Sequence, residues 1–328
     1  MTFEELQVRN QNRNFDQIVV VVKDIFEEMA ELSRVTEVVP QVVRIVSGDD
    51  SSLGAYTQRE ASYFYENTEL CVIQPVEGDT IYQRFLDRFG EGLCCVRERV
   101  SQAEFDRLEQ HFVDNNLKIA QRQESDSVKA LWVDLMDELG ILFELITEDS
   151  VTITVENKIP QRIAQVNITT PSEIDTIKRL AKYLEIGPWE VGAQASETAH
   201  DTGFLCNGEF KDEDFYFLLG IIPCGNLEWE VIEPIKGSLC VYRDYLERRG
   251  VGFHHILKEV PVEKWDSMIQ SFESKGIPMA CKGGLGPISW CYFHTEKEIR
   301  FHSEFRNNAV LDRLPDGYFQ YFYPAQGE

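Results

Sequence analysis

The sequence predicts an α+β fold built from four consecutive βαβββ units, arranged as two pairs. The first observation is an internal repeat, because residues 82–95 and 242–255 share a tyrosine, a leucine, an arginine and two glycines in register. The second is a strand-like run ending in proline before each copy, at residues 69–75 and 228–234. The third is that strand-like runs and helix-like spacings follow the same order in both halves. A duplication of this extent means that the fold must be read from the repeating unit.

The first half contains two units. Residues 1–14 are polar and are expected to form a loose arm. The first unit is expected to contain a β-branched strand at 15–22, a helix at 25–32 and strands at 42–46, 62–65 and 70–73. A short helix at 80–88 leads to the second unit, with a strand at 93–98, a helix at 102–114 and strands near Ile119, Leu131 and Leu142. Ser101 and Glu104 form a capping box at the start of that second helix.

The second half repeats this order after a polar segment at 147–160, so domains are expected at 1–155 and 156–328. The third unit is expected to contain a strand at 163–168, a helix ending near Leu184 and strands at 189–191, 215–222 and 227–232. The fourth is expected to contain a strand at 253–260, a helix at 262–274 and strands near Met279, Trp290 and Phe301. Residues 192–214 are expected to form a long loop, and the aromatic tail at 311–328 to pack on the body.

Composition limits the class of protein and its partners. The chain has 328 residues, 43% of them apolar, which is typical of a folded chain long enough for two cores. No apolar run reaches the ~20 residues that span a bilayer, and the amino terminus lacks a basic, apolar leader, so a cytoplasmic location is expected. The net charge of -24 argues against nucleic acid and anionic membranes as partners. The eight cysteines form no CxxC pair and are expected to be reduced core residues.

A histidine pair lies in the strand that ends the second copy of the repeat. His254 and His255 follow two glycines in an apolar run, and a buried histidine is destabilising unless its ring nitrogens find partners. Taken alone, such a histidine can be either a metal ligand or a hydrogen-bonded core residue. The first copy has a Cys-Cys pair at the same positions. Glu144 and Glu304 then follow the two pairs at the same distance, so a candidate carboxylate belongs to each repeat.

These motifs resemble those of the vicinal oxygen chelate superfamily, in particular its methylmalonyl-CoA epimerase-like and glyoxalase-like branches. The resemblance is carried by Gly-Val-Gly-Phe-His-His-Ile at 250–256, Glu-Val-Ile-Glu-Pro at 230–234 and Gly-Pro-Trp-Glu-Val at 187–191. It extends over nearly the whole chain and is closer in the second half. It implies that two units pair into a curved, open β-barrel, giving two barrels here, with a divalent metal held by the first and last strands of each unit.

Carried over position by position, the resemblance implies a metal site in the second barrel. Its ligands would be Gln165, Glu230, His255 and Glu304. This is the set of the superfamily's zinc-type glyoxalases, whereas its epimerases typically present His, Gln, His and Glu. Oxygen and nitrogen donors of this kind suit Zn, Mn, Co or Ni. His302 is a rival to Glu304, because residues two apart in a strand share a face.

Other positions implied by the resemblance are expected to be structural. His254 is expected to point outward from the strand and to be structural or to support the site, and Glu228 to lie at the rim. In the first barrel the corresponding positions are Gln17, Cys71, Cys95 and Glu144. Facing thiols there would bind a soft metal or be redox-active only with lowered pKa values. This barrel is therefore expected to have lost its site and to serve as a structural half.

The function implied by the resemblance is proton transfer at a carbon next to a carbonyl group. A metal in the second barrel would stabilise the enolate, while Glu230 and Glu304 would act as the catalytic acid and base. Return of the proton to the same carbon gives an epimerase or racemase. Return to the neighbouring carbon gives a glyoxalase-like isomerase or lyase. The substrate is expected to be a small carbonyl compound, since no basic cluster suited to a CoA thioester is found, and the protein to be a monomer or homodimer.

Two alternatives remain open. An extradiol-type ring-cleaving dioxygenase shares the four-unit architecture, but it uses Fe(II) held by two histidines and one carboxylate, and Gln165 stands where one histidine is needed. A non-catalytic protein that binds an apolar small molecule would also suit the aromatic strands. Metal content distinguishes these classes.

Overall fold

A computed structural model describes residues 2–50, 54–125, 128–151, 153–195, 204–206, 209–211, 215–237, 240–311 and 319–327. Within these ranges the chain is α+β and forms two curved, open half-barrel sheets, as predicted. It divides into two compact units, the first made of residues 12–160 with 298–300 and the second of the remaining described residues. None of the helices in these ranges has both the length and the apolar character needed to cross a membrane.

Helix α1 (Phe3–Gln11) lies at the start of the chain and belongs to the second unit. Its residues Phe3, Leu6 and Asn10 are buried, and the Asn10 Nδ2 amide donates to the Gly187 carbonyl at 2.6 Å. The expectation of a loose arm was therefore wrong. Buried positions at i, i+3 and i+7 define one packed helical face, although the remaining faces are polar.

The first unit holds the first two repeats in one eight-stranded sheet. Its elements are β1 (Phe15–Val21), α2 (Ile25–Thr36), β2 (Val42–Asp50), β3 (Gly54–Phe64), β4 (Glu69–Glu77), α3 (Ile81–Phe89), β5 (Gly92–Val100), α4 (Gln102–Asp114), β6 (Lys118–Ser125), β7 (Val128–Leu135) and β8 (Ile141–Thr147). The strand order is β2-β3-β4-β1-β5-β8-β7-β6. The central strands β1 and β5 are antiparallel, and each has a parallel partner, β4 and β8 respectively. Ser101 caps α4 as predicted, since its Oγ accepts from the Glu104 backbone N–H at 3.3 Å.

The second unit repeats this plan with additions. Its further elements are β9 (Ile163–Thr169), α5 (Glu173–Tyr183), β10 (Trp189–Ala195), β11 (Phe204–Cys206), β12 (Glu209–Lys211), β13 (Tyr216–Cys224), β14 (Leu227–Lys236), α6 (Cys240–Arg249), β15 (Gly252–Val260), a 3-10 turn (Val262–Lys264), α7 (Trp265–Ser274), β16 (Met279–Leu285), β17 (Ile288–Phe293), α8 (Glu296–Ile299), β18 (His302–Asn307) and β19 (Phe319–Tyr323). The nine-stranded order is β16-β17-β18-β15-β9-β14-β13-β10-β19. Its centre again joins antiparallel strands, β9 and β15, each with a parallel partner, β14 and β18 respectively.

Two segments of the second unit refine the expectations. Where a loop was expected at 192–214, β10 continues to Ala195 and β11 and β12 form a two-stranded sheet, while the other residues of that segment lie outside the described ranges. The aromatic tail packs on the unit as expected, because β19 pairs antiparallel with β10. The rings of Phe322 and Phe3 also meet edge to face, with centroids 5.4 Å apart. Tyr318, part of the same expectation, lies outside the described residues.

Both central strand pairs contain a bulge at the same point of the repeat. In the first unit, Val19 lies opposite Cys95 while the next residue, Val20, lies opposite Leu93. In the second unit, His255 and Phe253 lie opposite consecutive residues of β9. In each pair one strand carries an extra residue without a partner, residue 94 on β5 and residue 254 on β15. Such an extra residue defines a β-bulge. A bulge interrupts the alternation of side chains, so the residue pairs at 94–95 and 254–255 do not point to opposite faces.

Candidate metal centre

Four polar side chains come from the four central strands of the second sheet. They are Gln165 on β9, Glu230 on β14, His255 on β15 and Glu304 on β18. In the parallel pair β9–β14, Gln165 lies two residues before Asn167, the partner of Glu230. In the parallel pair β15–β18, His255 lies two residues before Leu257, the partner of Glu304. The duplication therefore repeats one arrangement of donors on both sides of the sheet's centre.

Three of these side chains are buried and in direct contact. His255 Nε2 lies 2.9 Å from Glu304 Oε2 and 3.3 Å from Glu230 Oε2. Among the described residues, these three form the one group of His, Cys, Asp or Glu side chains whose ligand atoms all lie within 4.8 Å of one another. His255 is fully buried, and Glu230 and Glu304 are 8% and 5% exposed. Two carboxylates and an imidazole, shielded and this close, are a donor set that suits a divalent cation.

Gln165 supplies an unsatisfied acceptor beside this group. It lines the same cavity as Glu230 and Glu304, and its Nε2 amide donates to Glu228 Oε1 at 2.6 Å. Its Oε1 atom is buried without a hydrogen-bond partner in the described part of the chain. A buried acceptor left unpaired destabilises a fold by about 1–3 kcal/mol, so such atoms usually have a ligand or function. The unpaired Oε1 atom of Gln165 is therefore suited to serve as a fourth metal ligand.

His254 lies on the same side of β15 as His255, so the expectation that it points outward was wrong. The bulge at this point brings the two Nδ1 atoms to 2.9 Å from one another. His254 Nε2 lies 3.1 Å from the Val241 carbonyl oxygen. His254 is 1% exposed, and it contacts the tyrosine rings of α6 at centroid distances of 5.3 and 5.0 Å.

Burial and charge act on the site in opposite directions. Burial by itself lowers the pKa of His255, but the Glu304 and Glu230 carboxylates outweigh it and raise that pKa to about 9. Burial raises the pKa of Glu230, and the hydrogen bond and positive charge of His255 oppose the shift. A protonated His255 therefore balances one buried carboxylate, whereas a divalent cation would balance both.

The structure separates His302 from the three-residue group. His302 Nε2 lies 3.5 Å from Glu296 Oε2, and its ring lies against that of His254 with centroids 4.6 Å apart. Burial alone would raise the pKa of Glu296, but His302 and Arg248 bring it down to about 2. Glu304, rather than its rival, is thus the β18 side chain that reaches His255.

Two kinds of residue at the site were not found from the sequence. Asn167 Nδ2 donates to Glu230 Oε2 at 2.9 Å and fixes that carboxylate. The Tyr292 hydroxyl lies 3.5 Å from His255 Nε2 and accepts from the Tyr242 hydroxyl at 3.0 Å. Tyr242 was visible as a residue shared by both copies of the repeat, whereas Asn167 and Tyr292 belong to no motif.

A cavity of about 300 Å³ opens above these donors. Its walls are mainly apolar and aromatic, contributed by Phe217, Leu219, Ile221, Ile232, Tyr242, Leu285, Ile288, Trp290, Tyr292 and Phe319. Glu190, Glu228 and Arg306 line it as well, and Arg306 Nη1 lies 3.3 Å from Glu228 Oε1. The cavity therefore combines an apolar body with the polar donors of the sheet.

The corresponding positions of the first barrel carry different chemistry. Cys71 and Cys95 are fully buried, and burial raises the pKa of both thiols well above the usual value. Gln17 Nε2 donates to Glu69 Oε2 at 2.9 Å. Thiols held in the protonated form are poor metal ligands and poor nucleophiles.

Arg97 provides a positive charge inside the first barrel. Its Nε atom lies 2.7 Å from Asp16 Oδ1, and its other nitrogens approach Glu69 at 3.7 Å and Glu144 at 3.8 Å. Burial raises the pKa of Glu144 to about 7, although Arg97 opposes the shift. The Arg97 guanidinium thus lies among the carboxylates of the first barrel. In the second barrel the same position of the repeat is occupied by the uncharged Leu257.

The sequence matches no protein-family model and no curated protein. The fold has many solved counterparts. A mutant of 4-hydroxymandelate synthase from Streptomyces coelicolor aligns with a TM-score of 0.58 at 11% identity, covering 92% of this chain and 95% of that one. BphC, a halotolerant catechol dioxygenase, aligns with a TM-score of 0.51 at 12% identity over 93% and 90%. A Mn(II)-bound glyoxalase from Novosphingobium aromaticivorans aligns with a TM-score of 0.50 at 13% identity over 95% and 87%.

These three proteins differ in their named activities but share one architecture. Identities of 11–13% leave activity open, whereas coverage of nearly the full length of each chain establishes the arrangement of the elements. All three are members of the vicinal oxygen chelate superfamily. The duplicated units, the curved open sheets and these alignments together show that this chain has the vicinal oxygen chelate fold.

Proposed function

We propose that the second barrel binds one divalent metal ion through Gln165, Glu230, His255 and Glu304, and that the protein is a metal-dependent enzyme. The reaction we propose is proton transfer at a carbon next to a carbonyl group, as in an epimerase, racemase or glyoxalase-like isomerase. The observation that carries the proposal is the contact of three buried donors at the cavity, beside the unpaired Gln165 oxygen. The fold supports it, since its solved counterparts include a Mn(II)-bound glyoxalase.

The donor set favours a cation of charge two. Glu230 and Glu304 contribute two negative charges, while Gln165 and a neutral His255 contribute none, so a divalent ion leaves the buried centre without net charge. Three oxygen donors and one nitrogen donor suit Zn, Mn, Co or Ni. The ion would polarise the substrate carbonyl and stabilise negative charge on its oxygen.

The two glutamates are suited to move the proton. They belong to different repeats, on β14 and β18, and both line the cavity. Asn167 holds one Glu230 oxygen and so orients the carboxylate. We assign abstraction and return of the proton to Glu230 and Glu304 together.

The cavity favours a small substrate without a strongly anionic part. Among its described lining residues, Arg306 is the cation, and it already lies 3.3 Å from Glu228. Phosphate groups such as those of CoA need several positive or amide donors, which these walls do not offer. An uncharged or weakly charged carbonyl compound with an apolar body fits the lining.

The donor set argues against the dioxygenase alternative. An Fe(II) centre of that class needs two histidines and one carboxylate. The other buried histidines near His255 are His254 and His302. The ring nitrogens of His254 are engaged by the Val241 carbonyl and by His255 Nδ1, and His302 Nε2 lies 3.5 Å from Glu296. The site therefore offers one imidazole where two are required.

Elemental analysis of the purified protein tests the proposal. We expect about one divalent metal per chain, lost in His255→Ala and Glu304→Ala because each variant removes a charged or nitrogen ligand. Cys95→Ala, the same position of the repeat in the first barrel, is the matched control and should retain the metal. Candidate carbonyl compounds would then be incubated in D2O, and deuterium should enter at the carbon next to the carbonyl.

Three results would change the assignment. Iron as the bound metal, with oxygen consumed on addition of an aromatic diol, would favour the dioxygenase. A metal that survives in both site variants would lie elsewhere. No metal after reconstitution with Zn, Mn, Co and Ni would exclude the metalloenzyme and leave a small-molecule-binding protein.

A further inference from the structure

We propose that His254 is a positioning residue, which accepts a hydrogen bond from the Nδ1–H of His255 and so turns the Nε2 atom of that ring toward Glu230 and Glu304. The proposal rests on the proposed metal site but concerns a residue outside its ligand set. It gives a role to His254 in the buried His254–His255 pair, which occupies the positions of Cys94 and Cys95 in the first repeat.

The direction of each hydrogen bond follows from the Val241 carbonyl. A carbonyl oxygen only accepts, so the 3.1 Å contact requires a proton on His254 Nε2. The two Nδ1 atoms lie 2.9 Å apart, and protons on both would oppose two donors. One of the two rings must therefore accept at Nδ1.

Burial decides which ring accepts. If His254 donated at Nδ1 as well as at Nε2, it would be a cation with 1% exposure, enclosed by His255, His302 and the α6 tyrosines. Placing an unpaired charge there is strongly unfavourable. His254 is thus neutral and accepts, and His255 carries its proton on Nδ1.

The bulge in β15 makes this contact possible. In a regular strand, residues 254 and 255 would point to opposite faces and their rings could not meet. The register shift opposite β9 instead places the rings nearly perpendicular, at 87°, with centroids 5.1 Å apart. The Tyr245 hydroxyl donates to the Phe253 carbonyl at 2.7 Å and holds the backbone at the bulge. His254 thereby links the α6 backbone to the orientation of a metal ligand.

Histidine tautomers in the metal-loaded protein test the proposal directly. With 15N-labelled histidine, long-range proton–nitrogen correlation spectra distinguish protonated from unprotonated ring nitrogens. We expect His254 to be protonated at Nε2 and unprotonated at Nδ1, and His255 to be protonated at Nδ1. The spectrum of His254→Gln would assign the His254 signals by their disappearance. A proton on His254 Nδ1 would overturn the proposal.

Two substitutions separate hydrogen bonding from packing. His254→Phe keeps the ring but removes the acceptor, and we expect Zn affinity, measured by competition with a chromophoric chelator, to fall about 10–100-fold. His254→Asn places an amide oxygen, Oδ1, at the position of the lost Nδ1 acceptor and should recover most of the affinity lost in His254→Phe. Cys94→Ala, the same bulge position in the first barrel, should leave affinity unchanged. If Phe is tolerated and Asn is not, His254 acts by packing and the proposal fails.

Failure of this proposal can be distinguished from failure of the proposed function. Should the unaltered protein bind no metal, the proposed function fails, while the His254 tautomer can still be read in the metal-free protein. Should His254→Phe not fold, the tautomer spectrum of the unaltered protein decides alone.

Discussion

Glu28 on α2 is a buried carboxyl whose oxygens have no hydrogen-bond partner within the described ranges. The Arg300 Nε atom lies 3.8 Å from it. Burial is the main cause that raises its pKa from 4.5 to about 8, with Arg300 opposing and Glu91 and Glu27 reinforcing the shift. Between these values the unfolded chain loses the proton while the folded chain keeps it. The free energy of unfolding should therefore fall as pH rises from about 4.5 to 8, by up to about 1.4 kcal/mol per pH unit.

We expect Glu28→Gln to remove this pH dependence and to stabilise the protein above pH 7, because a neutral amide needs no proton. Denaturant unfolding at a series of pH values measures the effect. Asp137→Asn, in an exposed pair with Arg88 of the same unit, is the control and should change stability little. Equal slopes for Glu28→Gln and the unaltered protein would contradict the assignment.

At the scale of single residues, the sequence predicts the site's members better than their interactions. The side chains of Glu230, His255 and Glu304, grouped by the resemblance as ligands, lie within 4.8 Å of one another, because parallel partners with a fixed offset bring equivalent residues together. The direction of His254 was missed, since one inserted residue changes the face of a side chain without leaving a composition signal. The role of Asn167 was missed for another reason, because an amide that fixes a carboxylate carries no spacing of its own.

Gly283 on β16 lies directly opposite Trp290 on β17, and the indole lines the cavity. A Cβ atom at Gly283 would lie 2.3 Å from the indole Cε2 atom. We expect Gly283→Ala to displace the indole and to destabilise the second unit by about 1–3 kcal/mol, as overpacking usually does. Thermal unfolding measures the loss, and intrinsic fluorescence should report the altered indole.

The double variant Gly283→Ala with Trp290→Leu tests the cause. If the steric contact is responsible, the double variant should be more stable than the sum of the single changes predicts, because the smaller side chain leaves room for the methyl group. Additive losses would show that the cross-strand contact is not the source.

At the scale of elements, the order of strands and helices was predictable and their ends were less so. Strands β2 and β3 form one long hairpin, with pairing from Val42–Ser62 to Asp50–Gly54, whereas shorter strands were expected. The extensions include polar residues such as Gln58 and Glu60 that are buried, so apolar periodicity alone could not include them. Helix α1 was missed for a related reason, because it buries few side chains and its fixed position depends on contacts with residues distant in sequence.

At the scale of the whole molecule, the proposed metal couples the chemistry of one barrel to its stability. A ligand that binds only the folded state at 100 times its dissociation constant adds about 2.7 kcal/mol to the free energy of unfolding. We expect added Zn or Mn to raise the unfolding temperature by several degrees and a chelator to reverse the change.

The matched variants give the control for this prediction. His255→Ala should abolish the shift, because it removes the only nitrogen donor of the proposed set, whereas Cys95→Ala in the first barrel should retain it. A shift of equal size in His255→Ala would place the metal outside the second barrel.

The shared bulge also bears on the backbone shape of the site. It occurs at Cys94 and at His254, at one point of two repeats that otherwise differ in their polar residues. The half without histidines at this point has the bulge as well. The backbone shape at this point therefore does not depend on the chemistry of the imidazole pair. The bulge is thus a property of the repeat itself, and it accommodates a Cys-Cys pair in one half and a His-His pair in the other.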